Sequence, residues 1–226
     1  MLHFPSGPIV REEGEGAGGM AVDGEVARAD GVRPIGVLHG CALEVLADSL
    51  WQVDADLAVA GVYEHDTEPG VLGGLERVLG GLAALRSAEL LKGTLGDTLL
   101  LSRPPAPIRA GAVLIVGLGD ESSVTAESVR RAATVTADQV VRMQVGHVAS
   151  AWGRGDGVGI SDGALPHLSA VVGGIESVLG TTTHRVHRWS FLTVAKDLDQ
   201  FAERFRTAFA LASHQGRYQL KDDRAS

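Results

Sequence analysis

The sequence predicts an α/β fold: a mixed sheet of about six strands with helices on both faces. Three observations predict it. Short apolar runs alternate with longer segments whose apolar residues recur at helical spacing, the pattern that places helices over a sheet. Hydrophobic residues make up 45% and charged residues 21% of the 226 residues, a balance that fills a core without staples. The single cysteine, Cys41, excludes an internal disulfide, so packing must carry the stability and a reducing compartment is expected.

The elements follow in order. Residues 1–32 are rich in Gly, Glu and Asp without periodicity and read as a disordered leader; Met20 is a second candidate start. Residues 33–213 read as one α/β domain, and 214–226 as a polar tail. Within the domain, Pro34 to Leu38 is a short apolar run. Cys41 to Trp51 has helical spacing through Leu43, Val45, Leu46 and Leu50. Asp56 to Tyr63 reads as a buried strand. Val71 to Leu91 reads as one helix, with Leu72, Leu75, Val78, Leu79, Leu82 and Leu85 on one face. Asp97 to Leu101 and Ala112 to Val116 read as strands split by the proline-rich turn Pro104 to Pro107. Ala126 to Gln144 is a helix with Thr125 as its N-cap. Gly157 to Ile160 is a short strand candidate, Leu165 to Leu179 a helix and Trp189 to Val194 a last strand. Asp197 to Ala212 closes the chain as a helix with a capping-box pattern at Asp197 and Gln200. Its stripe Phe201, Phe205, Phe209 reads as core.

Charge and composition exclude some functions. Net charge is −8 and aromatics are 4%, against the basic patch and stacking platforms of a nucleic-acid binder. The nearest basic cluster is His184, Arg185, His187 and Arg188. No apolar run reaches the roughly 18 to 20 residues that span a bilayer, and no signal peptide is evident, so a cytoplasmic location is expected.

Four stretches carry a resemblance. Ala55 to Tyr63 (ADLAVAGVY), Gly93 to Leu101 (GTLGDTLLL), Val113 to Gly119 (VLIVGLG) and Thr125 to Ala133 (TAESVRRAA) resemble, in this order and spacing, the N-terminal domain of the leucine (cytosolic) aminopeptidase family. The resemblance implies a macrodomain-like fold, and Gly159 to Pro166 (GISDGALP) is similar to the glycine loop after a late macrodomain strand. That family's chemistry lies in a C-terminal domain where lysine, aspartates and a glutamate hold a pair of metal ions. Its Asn-Thr-Asp-Ala-Glu-Gly-Arg signature is not found in this sequence, so no catalytic residue carries over and none is assigned. No cofactor is expected.

Three constellations are candidate sites. Val71 to Gly80 (VLGGLERVLG) and Val171 to Gly180 (VVGGIESVLG) share seven of ten positions. Helix N-termini bind anions, and macrodomain resemblance implies a ligand cleft built from Gly70, Gly73 and Gly74 with Ser161, Asp162 and Gly163. Paired glycines also serve close packing, and the charges favour that reading. Glu64, Asp66, Glu68, Asp156, Asp162, Asp120 and Glu121 surround the loops, and a carboxylate about 4 Å from a phosphate costs roughly 4 kcal/mol at an effective dielectric of about 20. Second, Gly159 to Gly163 matches the G-x-S-x-G elbow around Ser161, with His39-Gly40, Asp197 and His214 in hydrolase order; one strand after Ser161 is too few for that fold. Third, His184 and His187 could approach a metal, but no second cluster accompanies them, so no metal site is assigned. Gly117-Leu118-Gly119 reads as a strand-end turn.

The reading that follows is a binding or assembly module without aminopeptidase activity, expected to form a homo-oligomer or engage a protein partner. A nucleotide or ADP-ribose-type sensor or hydrolase in the glycine-loop cleft is the alternative, and a serine hydrolase at Ser161 a second. The glycine pairs at 73, 74 and 80, 81 predict self-association, provided their stripe faces outward.

Overall fold

The computed structural model describes residues 31–65, 71–152 and 165–222, with the backbone alone at 71–72 and 214–222. Seven strands form one sheet: β1 (Val32–Leu38), β2 (Cys41–Ala47), β3 (Leu57–Val62), β4 (Thr98–Ser102), β5 (Ala112–Gly117), β6 (His147–Trp152) and β7 (Arg188–Thr193). Their order is β1-β2-β7-β6-β3-β5-β4. The five central strands run parallel, and β1 and β4 close the two edges antiparallel. The helices are α1 (Val71–Leu79), α2 (Leu82–Ser87), α3 (Ala126–Met143), α4 (Leu165–Leu179) and α5 (Leu198–Asp222). Among the described residues, no helix is long and apolar enough to cross a membrane.

Strand alternation splits the core into two layers. Leu43, Val45, Leu57, Val59, Leu114, Val116, Val148, Trp189 and Phe191 face α3, α4 and α5. Ala58, Ala60, Val62, Val113, Ile115, Ala149, Ala151 and Leu192 face the opposite way, onto Leu75 of α1, Leu82 of α2 and the segment through Leu50 and Val53. Being covered on both sides, β3 and β5 are buried at every position.

Local chemistry explains the well-predicted elements. Thr125 caps α3 through its hydroxyl, which accepts from the Ser128 N–H at 3.1 Å, while Ser128 Oγ accepts from the Thr125 N–H at 2.9 Å. Gln144 ends that helix in the left-handed conformation, φ 56. Phe205 is fully buried and stacks on Phe191 with centroids 4.1 Å apart, and Phe201 meets Phe205 edge-on at 5.1 Å. The phenylalanine stripe is core.

Four expectations are corrected. Cys41 to Ala47 is a strand, because Cys41, Leu43 and Val45 bury on alternate positions; the apparent helical spacing came from Leu46, which lies on the other face. His39 and Gly40, with φ 48 and 84, form the two-residue hairpin turn between β1 and β2, so they are no oxyanion loop. The expected helix from Val71 to Leu91 breaks at Gly80 and Gly81, both at positive φ with open space around them. The strand His147–Trp152 is an addition to the expected elements, and Gly157 to Ile160 lies outside the described residues; among the described residues the count is seven strands. At the ends, β1 starts at Val32 and α5 continues to Asp222.

Candidate functional site

Topology places a crevice before any side chain is considered. After β3 the chain turns to α1 on one face of the sheet; after β6 it turns to α4 on the other. These two strands are neighbours, so their outgoing connections separate. Such a switch point at the carboxyl ends of parallel strands is where α/β folds bind ligands.

The described part of this crevice is lined by Tyr63 after β3, Leu118, Glu121 and Val124 after β5, Val129 of α3, Trp152 ending β6 and His167 of α4. Tyr63, Leu118, Val129 and Trp152 are all buried. They leave a cavity of about 40 Å³, whereas pockets for drug-sized ligands run about 300 to 1,000 Å³. The Trp152 indole N–H and the Thr193 hydroxyl are buried without a hydrogen-bond partner among the described residues. Continuing the register that pairs Ser150 with Phe191 sets Trp152 beside Thr193, so both lie at one end of the sheet. The turn after β5 is acidic. Asp120 accepts from Ser122 N and Ser122 Oγ, both at 2.9 Å, and these bonds hold its carboxyl below the usual carboxylate range.

The predicted site residues fall in different places. Gly70, Ser161, Asp162 and Gly163 lie outside the described residues, as does the side chain of His214. Gly73 and Gly74 sit within α1 and are buried. A Cβ on Gly74 would stand 2.2 Å from the Trp51 ring. In the matching repeat, a Cβ on Gly174 would stand 2.6 Å from the Arg130 carbonyl oxygen of α3. At these two positions the repeated glycines have close-packing work to do. The buried pair at 73 and 74 also faces inward, so it offers no outward stripe for self-association. Asp197 lies in the 3-10 turn before α5. His184 is tied through Nε2 to the Val145 carbonyl at 2.8 Å, and His187 lies against Gly146. Among the described residues, no group of three His, Cys, Asp or Glu could hold a metal.

The sequence reading missed Tyr63, Trp152 and His167 as crevice residues. The available signal was an aromatic residue at the end of each of two adjacent parallel strands. It stayed hidden because the Ala- and Ser-rich β6 has little strand propensity.

At the opposite ends of the strands, Ser190 Oγ donates to Glu44 Oε1 at 2.7 Å and stands 3.1 Å from His147 Nε2. Because the serine has one proton, His147 Nε2 is the donor in that second bond. Burial and then Arg188 push the His147 pKa down. Ser190 is fully buried, which makes this chain a structural tie between β2, β6 and β7. Cys41 is likewise buried, and burial followed by Glu44 pushes its thiol up to about 12. The expected result is that Cys41 reacts with a thiol reagent at pH 8 only as fast as the protein unfolds; rapid native labelling would contradict the packing.

The fold and crevice define a macrodomain-like α/β domain. A point mutant of the Oceanobacillus iheyensis macrodomain matches with a TM-score of 0.59 at 10% identity, covering 81% of this chain and 94% of its own. The Trypanosoma brucei macrodomain in complex with ADP matches with a TM-score of 0.57 at 16% identity, covering 78% and 73%. A tomato leucine aminopeptidase mutant matches with a TM-score of 0.48 at 21% identity, covering 72% of this chain and 35% of that one. No curated protein sequence matches. Residues 59–177, more than half of the chain, match the Cytosol aminopeptidase family, N-terminal domain: the chain belongs to that family.

Proposed function

We propose that this domain acts as a binding or assembly module rather than as a hydrolase. The observation that supports this most is the packing at the described part of the switch point: Tyr63, Leu118, Val124, Val129 and Trp152 line a cavity there of about 40 Å³. A dinucleotide would also meet Glu121 and the acidic turn at Asp120, where a phosphate is repelled. The Ser161 hydrolase reading loses its oxyanion loop to the β1–β2 hairpin turn.

A thermal-shift screen tests this reading. Millimolar ADP-ribose, ADP or AMP should move the melting temperature by less than about 1 °C. A ligand at about 100 times its Kd would add about 2.7 kcal/mol, worth several degrees at this size. Leucine p-nitroanilide should not be turned over with manganese or zinc. A large shift, or hydrolysis abolished by a chelator, overturns the reading.

One observation favours a small-ligand reading. Among the described residues the N–H of Trp152, which lines the crevice, and the Thr193 hydroxyl have no partner, and buried orphans of this kind cost about 1–3 kcal/mol each. A ligand with an acceptor atom would satisfy them. Trp152→Phe separates the two readings. If the N–H is an orphan, the variant is as stable as the parent or more so. If it serves a ligand found in the screen, the variant loses that ligand's thermal shift.

A further inference from the structure

The two edges of the sheet are treated differently. The β1 edge carries Arg33, Pro34 and Gly36 and an irregular register between Pro34 and Gly36, and Arg206 of α5 donates to the Pro34 carbonyl at 3.0 Å. These are the devices that blunt an edge against pairing. The β4 edge carries none of them. Its sequence is Thr-Leu-Leu-Leu-Ser, without charge, proline or bulge, and Leu100 is 43% exposed. Among the described residues no strand lies beyond it.

We propose that β4 pairs with β4 of a second copy of this chain, joining two sheets across a two-fold axis at Leu100. The proposal rests on the reading of the domain as an assembly module and names the surface and the partner. Hydrogen-bond phase selects the register. The Asp97 carbonyl accepts from Gly117, and the Arg103 N–H donates to Gly111, so odd-numbered residues bond inward to β5. In an antiparallel ladder the even residues then present their N–H and C=O outward. Those residues are Thr98, Leu100 and Ser102.

With the two-fold at Leu100, Thr98 faces the partner's Ser102, and Leu100 faces its own copy. The outward groups of these residues form roughly six backbone hydrogen bonds. The same register sets Leu99 across from the partner's Leu101, extending the apolar layer that both leucines join. Just outside the strand, at both ends of the pair, it brings Asp97 toward the partner's Arg103, which turns off the strand at φ 53. A two-fold at Leu99 instead places these charges against the partner's Leu101 and Leu95, and a two-fold at Leu101 places them against its Pro105 and Leu99. Charge complementarity thus selects the same register that uses every outward group. A closed two-fold contact of this type buries the edge completely and leaves no open end for further growth.

Light scattering of the full chain, with circular dichroism and melting curves to confirm folding, tests the proposal. The parent should have twice the monomer mass at micromolar concentration. Leu100→Lys sets two ammonium groups opposite each other and should give a folded monomer, with Kd raised at least 100-fold. Asp97→Arg alone and Arg103→Asp alone should each weaken the dimer at least 10-fold, and the double swap should restore it. A parent that is monomeric at high concentration overturns the proposal. So does a dimer that survives Leu100→Lys, or single swaps that the double swap does not rescue. None of these outcomes depends on the ligand screen or the hydrolysis assay, so the pairing can fail while the assembly reading stands.

Discussion

Replacing Phe205 with alanine is expected to lower stability by about 3–5 kcal/mol, the usual cost of emptying a buried aromatic site. Phe205 is fully buried. Its ring stacks on Phe191 of β7 at 4.1 Å and receives the edge of Phe201 at 5.1 Å. The loss therefore includes apolar burial, two ring contacts and a cavity between α5 and the sheet. Against a typical total of about 5–15 kcal/mol, this is roughly a fifth of the stability or more. Urea unfolding measures it as a shift in midpoint at constant slope. Leu211→Ala on the same helix should change stability by about 0.5 kcal/mol or less, because Leu211 is 48% exposed. A Phe205→Ala loss below about 1 kcal/mol would show that α5 does not rest on β7 as described.

The second large effect is expected at Gly174. Alanine there would place its Cβ 2.6 Å from the Arg130 carbonyl oxygen and 2.7 Å from Ala133 Cβ. Both obstacles belong to the α3 backbone or lie one bond from it, so neither can rotate away. The helices must separate, and overpacking of this kind costs about 1–3 kcal/mol. That outweighs the gain of roughly 1 kcal/mol from replacing glycine in a helix interior. Gly173→Ala should behave oppositely. The three atoms nearest its Cβ all belong to the Arg130 guanidinium, the closest at 3.0 Å, the far end of a flexible side chain. Gly74→Ala should fall between, since its obstacle is the half-buried Trp51 ring rather than backbone. Melting temperatures should rank Gly173→Ala highest, Gly74→Ala next and Gly174→Ala lowest. A Gly174→Ala variant as stable as the parent would remove the close approach of α3 and α4.

The candidate site was less legible than the fold, and particular residues show why. The repeat VLGGLERVLG and VVGGIESVLG reads as two equivalent loops, yet each copy meets a different neighbour: Trp51 in one case, the α3 backbone in the other. No property of ten residues in isolation contains that neighbour. Trp152 and Tyr63 are unremarkable strand-end aromatics until β6 and β3 are set side by side. Their place together in the lining of the crevice is a property of the pair.

What the sequence determined by itself was everything that local chemistry decides. Thr125 and Ser128 state the start of α3 through their own hydroxyls. The spacing of Phe201, Phe205 and Phe209 states which side of α5 is buried. The unbroken apolar runs of β3 and β5 state that these strands are covered on both faces. The tertiary structure decided what depends on distant partners. Cys41 to Ala47 satisfies both a helical and an alternating pattern over so short a span, and pairing with β1 and β7 makes it a strand. His147 to Trp152 has weak strand propensity and is a strand because β3 and β7 hydrogen-bond to it on both sides. Sheet order, the switch point between β3 and β6, and the bare edge at β4 come from long-range pairings, whose free energy is realised only when segments far apart in the chain meet.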